Sequence, residues 1–249
     1  MNVITVASRK GGAGKSTLTA HLAGYAHAQG YRTLVIDADP QGSLTLWHAH
    51  RRNGEPRLQS ASRGVERAVA YAMVEGYEWV FVDTAPTMWL VVQEAIRAAT
   101  LAVIPARPAF FDLNSVLDTV KTARTLNKPY AVVLNAAPSK RDDKEAPVVA
   151  QSRAFLDRHE VPVWHGQISQ RGSYALLLAA GASACEAAPE TLAAAEIASL
   201  WRSIARSVAA INAAHAGVAS ATAANATAHA AGATTAATDP AVTYAGYAA

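Results

Sequence analysis

Short runs of β-branched and apolar residues alternate along the chain with longer stretches whose apolar positions recur at helical spacing. Residues 2–8 (NVITVAS), 32–37 (RTLVID), 78–83 (EWVFVD), 101–104 (LAVI), 129–135 (PYAVVLN) and 161–168 predict short buried strands. Residues 16–29 place Leu18, Leu22 and Ala26 on one helical face and end at Gly30, a natural helix stop. Further helices are predicted over 43–52, 64–75, 88–99, 112–127, 146–159 and 189–212, with Asp112 as a candidate cap. Such alternation predicts an α/β fold, a mostly parallel twisted sheet flanked by helices on both faces. Ligands of such folds bind at the carboxyl ends of the strands.

The pattern stops near residue 213. The remaining stretch to 249 is rich in alanine and threonine and carries a single charged residue, Asp239. The expected organisation is one domain over residues 1–212 and an Ala/Thr-rich low-complexity tail over 213–249, flexible or weakly helical.

A length of 249 residues with 51% hydrophobic content suits one α/β domain of ordinary size. The formal net charge of +3 permits an anionic partner without demanding one. The single cysteine, Cys185, excludes a disulfide within the chain and a cysteine-built zinc or iron–sulfur site from one chain. No run of eighteen apolar residues reads as a membrane span, and the first residues enter a strand without a signal-peptide pattern. A cytoplasmic location with no membrane partner is the expectation.

The candidate chemistry begins directly after the first strand. Residues 9–17 read R-K-G-G-A-G-K-S-T. Glycines allow backbone N–H groups to close around phosphate oxygens, a lysine reaches the β/γ-phosphates, and a hydroxyl meets Mg²⁺. Lys15 and Ser16 fill the last two roles. Arg9 stands where the usual first glycine of the motif would be, and Lys10 adds a second lysine five residues before Lys15. The following helix start favours anions through its free N–H groups and dipole. Three more segments end strands: D-A-D-P-Q-G at 37–42, V-D-T-A-P at 82–86, and I-P-A-R-P-A-F-F-D-L at 104–113. Two carboxylates two residues apart project the same way if the strand persists, so Asp37 and Asp39 can approach Mg²⁺ and an attacking water. Asp83 ends an apolar strand, as a ligand near Mg²⁺ would. The last segment, stiffened by two prolines, can line a ligand or a subunit interface.

In this order, the four motifs resemble the ParA/MinD family of deviant Walker A ATPases over roughly residues 1–212, closest to small ParA-type partitioning ATPases without an N-terminal helix-turn-helix. The resemblance implies a P-loop NTPase fold and ATP with Mg²⁺ as cofactors. It implies that Lys15 binds the β/γ-phosphates, and that Gly11, Gly12, Ala13, Gly14 and Thr17 complete the phosphate cradle. Ser16 would ligate Mg²⁺, with Asp37, Asp39 and Asp83 near the ion and Asp39 orienting the hydrolytic water. Lys10 would reach across an ATP homodimer to the partner's nucleotide, similar in logic to an arginine finger. Asn135 would touch adenine. The implied activity is ATP hydrolysis, weak until a ParB-like or cargo-adaptor protein stimulates it. The implied role is to bind DNA non-specifically on the nucleoid and position a chromosome, plasmid or protein cargo.

Candidate DNA contacts are Lys140, Arg141, Lys144, Arg153, Arg158, Arg171, Arg202 and Arg206; Arg202 and Arg206 share a helix face. Where the family carries an R-x-x-x-S-E-A-P-like stretch, residues 170–175 read QRGSYA, a departure from that pattern. Two alternatives stay open. A MinD-like membrane-surface ATPase would need a C-terminal amphipathic helix with bulky apolar groups, where this chain offers alanine and threonine. A metabolic enzyme of the same ATPase class would need a substrate pocket.

Overall fold

The computed structural model describes residues 1–234, with side chains as far as Gly217. The elements run β1 (Asn2–Val6), α1 (Lys15–Ala28), β2 (Thr33–Ala38), α2 (Ser43–Ala49), β3 (Arg57–Ser60), α3 (Val65–Val74), β4 (Trp79–Thr84) and α4 (Trp89–Ala98). They continue β5 (Leu101–Ala106), α5 (Phe110–Thr125), β6 (Tyr130–Leu134), α6 (Pro147–Arg158), α7 (Gly172–Ala179), α8 (Ala184–Ala187) and α9 (Leu192–Thr234). The strands form a six-stranded sheet, ordered β3-β2-β4-β1-β5-β6. Every pairing in it is parallel. Apart from the edge strand β3, whose residues are Arg57-Leu58-Gln59-Ser60, the strands read as near-continuous apolar runs because helices cover both faces.

The two faces divide by residue parity, as a period of two requires. Val3, Leu34, Ile36, Val80 and Val82 pack against Val65, Ala68 and Ala72 of α3 and Ala95 of α4. Ile104, Ala106, Val132 and Leu134 meet Leu113, Val116 and Val120 of α5 and Val149 and Leu156 of α6 on the same side. On the opposite face Trp201 of α9 lies 4.5 Å from Trp79 and 6.2 Å from Phe81, ring to ring. There α1 carries His21, whose ring meets Tyr174 of α7 edge-on at 4.9 Å and whose Nδ1 accepts the Ala184 N–H of α8 at 3.0 Å. A capping box between Ser183 and Glu186 starts α8.

Several boundaries differ from the sequence reading. Strand β3 and helices α7 and α8 lay in stretches without a clear period. The strand predicted over 161–168 is reduced to isolated bridges, Val132 with Val163, followed by Ala137 with Ser169. Arg153 explains the interruption. Its guanidinium takes the carbonyls of Trp164, His165 and Gly166 at 2.7, 2.9 and 2.7 Å, and those acceptors are lost to a regular ladder. Helix α5 begins at Phe110, so Asp112 lies in its first turn and does not cap it. Helix α9 continues past residue 212 to Thr234. Residues 1–208 form one compact unit, and the described residues from 209 onward belong to a second. The rest of the predicted tail, with Tyr244 and Tyr247, lies outside the described residues.

Burial gives His21 a titration consequence. Desolvation lowers its pKa from 6.5 to about 4, against the raising influence of Tyr174 and Glu186. Between these values the unfolded chain binds a proton that the native chain does not, so stability falls as pH drops from 6.5 towards 4. Urea unfolding across that window should show a His21→Gln variant with a shallower acid-side slope than the parent. An unchanged slope would exclude a neutral, buried His21.

Candidate functional site

The loop between β1 and α1 is shaped for an anion. Gly12 and Gly14 adopt φ of +72° and +89°, where side-chain-bearing residues are strained. Gly14 stands at the start of α1, which has no side-chain cap and no acidic residue in its first turn. The open N–H groups and the dipole of a 14-residue helix therefore face the loop. Lys15 is buried, and its Nζ donates to the Lys10 carbonyl at 3.3 Å. Burial lowers its pKa, while Asp83 and Asp39 act the other way.

Beneath the loop, parallel register sets Asp37 of β2 beside Asp83 of β4. Asp83 is fully buried, and its Oδ2 accepts the Ser16 hydroxyl at 2.6 Å. Burial pushes its pKa up to about 7; the Ser16 hydrogen bond and Lys15 oppose this, while Asp37 and Asp39 add to it. Its second oxygen, Oδ1, has no hydrogen-bond partner. A hydroxyl and carboxylates with one unsatisfied buried oxygen form a hard-oxygen donor set that fits Mg²⁺. Among the described residues no three His, Cys, Asp or Glu side chains form a complete metal cage. Mg²⁺ ordinarily keeps phosphate and water ligands instead of such a cage.

The structure separates the two carboxylates that the sequence reading placed together. The strand ends at Ala38. Asp37 stays buried, where its Oδ2 accepts the Thr45 N–H at 2.9 Å and the Thr45 hydroxyl at 2.8 Å. Its Oδ1 accepts the Asp39 N–H at 3.2 Å. Asp37 thus anchors the start of α2. Asp39 lies past the strand end, accepts the Gln41 N–H at 2.9 Å and lines the cavity.

That cavity has a volume of about 730 Å³. Gly11, Gly12, Gly14, Lys15, Ser16 and Thr17 form its loop side. Leu46 and Trp47 of α2 and Leu178 and Ala179 of α7 add an apolar wall that no sequence motif marks, with His50 just past α2 beside it. Arg107, in the proline-stiffened loop after β5, completes the mouth. Asn135 has a role within the fold. It is 5% exposed and donates from Nδ2 to the Ala13 carbonyl at 2.7 Å. It therefore grips the phosphate loop from below, a partnership added to the expected adenine contact. A methyl group on Gly14 would collide with this amide.

Lys10 stands apart from Lys15. Its side chain is 43% exposed, with Nζ 4.0 Å from Asp112 Oδ2. The candidate DNA contacts also divide. Arg153 is committed to Glu145 at 2.8 Å and to three carbonyls, and Arg171 to Glu196 at 2.8 Å. Both are structural braces, which removes them from an open basic patch. Lys140, Arg141, Lys144, Arg158, Arg202 and Arg206 are exposed, but Asp142 and Asp143 interrupt the 140–144 turn.

The CobQ/CobB/MinD/ParA nucleotide-binding domain matches residues 4–183. The chain belongs to this family. It is 37% identical over 123 residues to the carboxysome-distribution maintenance protein A of Gloeobacter kilaueensis, covering 49% of this chain and 56% of that one. It is 28% identical over 149 residues to the chromosome-partitioning ATPase Soj of Thermus thermophilus, covering 48% and 60%. The matched part thus spans little more than half the length of these relatives. An ATP complex of Cyanothece McdA superposes with a TM-score of 0.58 at 19% identity, covering 76% of this chain and 90% of that one. No helix among the described residues is long and apolar enough to cross a membrane.

Loss of the Asn135 grip should leave a buried carbonyl unsatisfied, at a cost of about 1–3 kcal/mol. Asn135→Ala is expected to weaken ATP and ADP alike by roughly tenfold or more, and Gly14→Ala to abolish both. Titration with fluorescent nucleotides checks this; loss of ATP binding alone would contradict the loop-bracing role.

Proposed function

We propose that this chain is an ATP-dependent dimerising ATPase that binds DNA without sequence preference and positions a cargo. The observation that carries this reading is the division of labour between the two loop lysines. Lys15 is buried and committed to its own loop, whereas Lys10 is half-exposed, with one carboxylate 4.0 Å away. A cation so placed can leave towards a second chain, where it would neutralise charge developing on the transferred phosphoryl group.

The surrounding edge supports a face-to-face dimer. Met88 and Leu90 follow Pro86, Phe110 and Phe111 follow Arg107, and all four are exposed large apolar groups on the edge that carries the loop. Nucleotide would bridge two such faces, and hydrolysis would release them, a two-state element biased by the γ-phosphate. Within each chain Ser16 and Asp83 would hold Mg²⁺, which supplies charge neutralisation between the phosphates. Asp39 orients the hydrolytic water at the open end, and Lys15 binds the β/γ-phosphates.

Arg202 and Arg206, four residues apart on α9, supply the clearest shared cationic face, with Lys140 and Arg141 as a second group. Dimerisation doubles whatever phosphate contacts one chain makes. A ParB-like or cargo-adaptor protein would stimulate turnover and strip the dimer from DNA.

Lys10→Ala should retain ATP while its hydrolysis falls by at least about 10²-fold, measured as released phosphate. Asp39→Ala should keep its ATP uncleaved, read by chromatography of the bound nucleotide; wild-type turnover in either variant would contradict the assigned roles. Random-sequence DNA should shift in gels with ATP but not ADP, with binding that falls steeply as salt rises. Equal shifts with both nucleotides would separate DNA binding from the switch.

A further inference from the structure

We propose that Arg107 reads the terminal phosphate of the nucleotide held in its own chain, which makes it a cis sensor that distinguishes ATP from ADP. The inference rests on the nucleotide-binding reading above and adds a residue to it.

The position of Arg107 is set by rigid surroundings. It follows directly from buried Ala106, the last residue of β5, and stands between Pro105 and Pro108. The Ala109 N–H donates to the Arg107 carbonyl at 2.8 Å and closes a tight turn. Proline restricts the backbone on both sides, so the side chain starts from a fixed base. Its guanidinium lies over the phosphate loop. Nη2 is 3.5 Å and Cζ 3.9 Å from the place where a side chain on Gly12 would begin. The group lines the same cavity as Lys15, Ser16 and Asp39.

Its neighbours show what is unusual about it. Arg9 has a carboxylate partner in Asp118 at 3.4 Å and a ring partner in Trp89 at 4.8 Å. Lys10 faces Asp112, and Lys15 is tied to the loop carbonyl of Lys10. Among the described residues, the Arg107 guanidinium has no hydrogen bond, ion pair or aromatic partner. An arginine at a cavity mouth with five free donors is a fork suited to paired phosphate oxygens. Gly12 lies on the Lys10 side of the loop, away from the helix N-terminus at Lys15. A phosphate chain seated on that N-terminus would direct its last group towards Gly12, within the span of this guanidinium. ADP lacks that group, so Arg107 should contribute to ATP and not to ADP.

The test compares the affinities of a non-hydrolysable ATP analogue and of ADP for wild type, Arg107→Ala, Arg107→Lys and Lys15→Gln, at protein concentrations from dilute to micromolar. Arg107 is exposed and its guanidinium makes no hydrogen bond, ion pair or ring contact among the described residues, so Arg107→Ala should unfold at the same urea midpoint as wild type. Arg107→Ala is expected to lose about tenfold for the ATP analogue and to stay within about twofold for ADP, as fits one charge-assisted hydrogen bond. Arg107→Lys should recover part of the loss, because it restores charge without the planar fork. Equal loss for both nucleotides, or no loss for either, would overturn the inference. A loss that emerges only as protein concentration rises would also overturn it, because the residue would then serve the partner's nucleotide. Lys15→Gln should lose both nucleotides. If wild type itself binds neither, the nucleotide reading fails and this inference fails with it.

Discussion

A carboxylate sealed beneath the phosphate loop sets the terms for the whole site. Asp83 has no exposed surface, one oxygen bound to Ser16, a second oxygen without a partner, and a pKa raised to about 7 by burial. Such a group is costly until a cation or proton satisfies it. The parallel sheet fixes its place, because β4 lies between β2 and β1 and delivers Asp83, near its carboxyl end, under the loop that leaves β1. Lys15 answers part of the charge, at the expense of its own lowered pKa. The hard-oxygen character of what remains favours Mg²⁺ with nucleotide phosphates.

Around this centre the chain assigns different work to residues of the same type. Asp37, Asp39 and Asp83 all lie at or just past the carboxyl ends of neighbouring strands, yet Asp37 anchors α2 through Thr45, Asp83 supports Ser16, and Asp39 faces the cavity. The four nearby cations divide in the same way. Lys15 is buried in the loop, Lys10 rests against Asp112, Arg9 is spent on Asp118 and Trp89, and Arg107 stands over Gly12. Distance from the loop and prior commitment, more than residue type, decide what each can do for a polyphosphate.

The sheet and the phosphate loop were legible in the sequence because both carry strong local signals. Buried parallel strands read as apolar runs, and a glycine-rich turn before a helix has few other uses. Long-range partnerships were not legible. Asn135 sits at a strand end where a base contact was expected, but its partner, Ala13, is 122 residues away, and only folding reveals that the amide points into the loop. Arg153 read as a free basic residue until its carboxylate and three carbonyl partners came together around it. The same commitment dissolved the strand predicted over 161–168. The apolar cavity wall of Leu46, Trp47, Leu178 and Ala179 comes from two short helices with no motif of their own, and so left no local signal.

The central claim is that the loop edge becomes a subunit interface only when a third phosphate is present. Light-scattering mass measurement of the wild-type protein with Mg²⁺ and a non-hydrolysable ATP analogue, and separately with Mg²⁺ and ADP, addresses it most directly. The expected masses are those of two chains with the ATP analogue and of one chain with ADP. The same mass in both nucleotides, whether of one chain or of two, would contradict it.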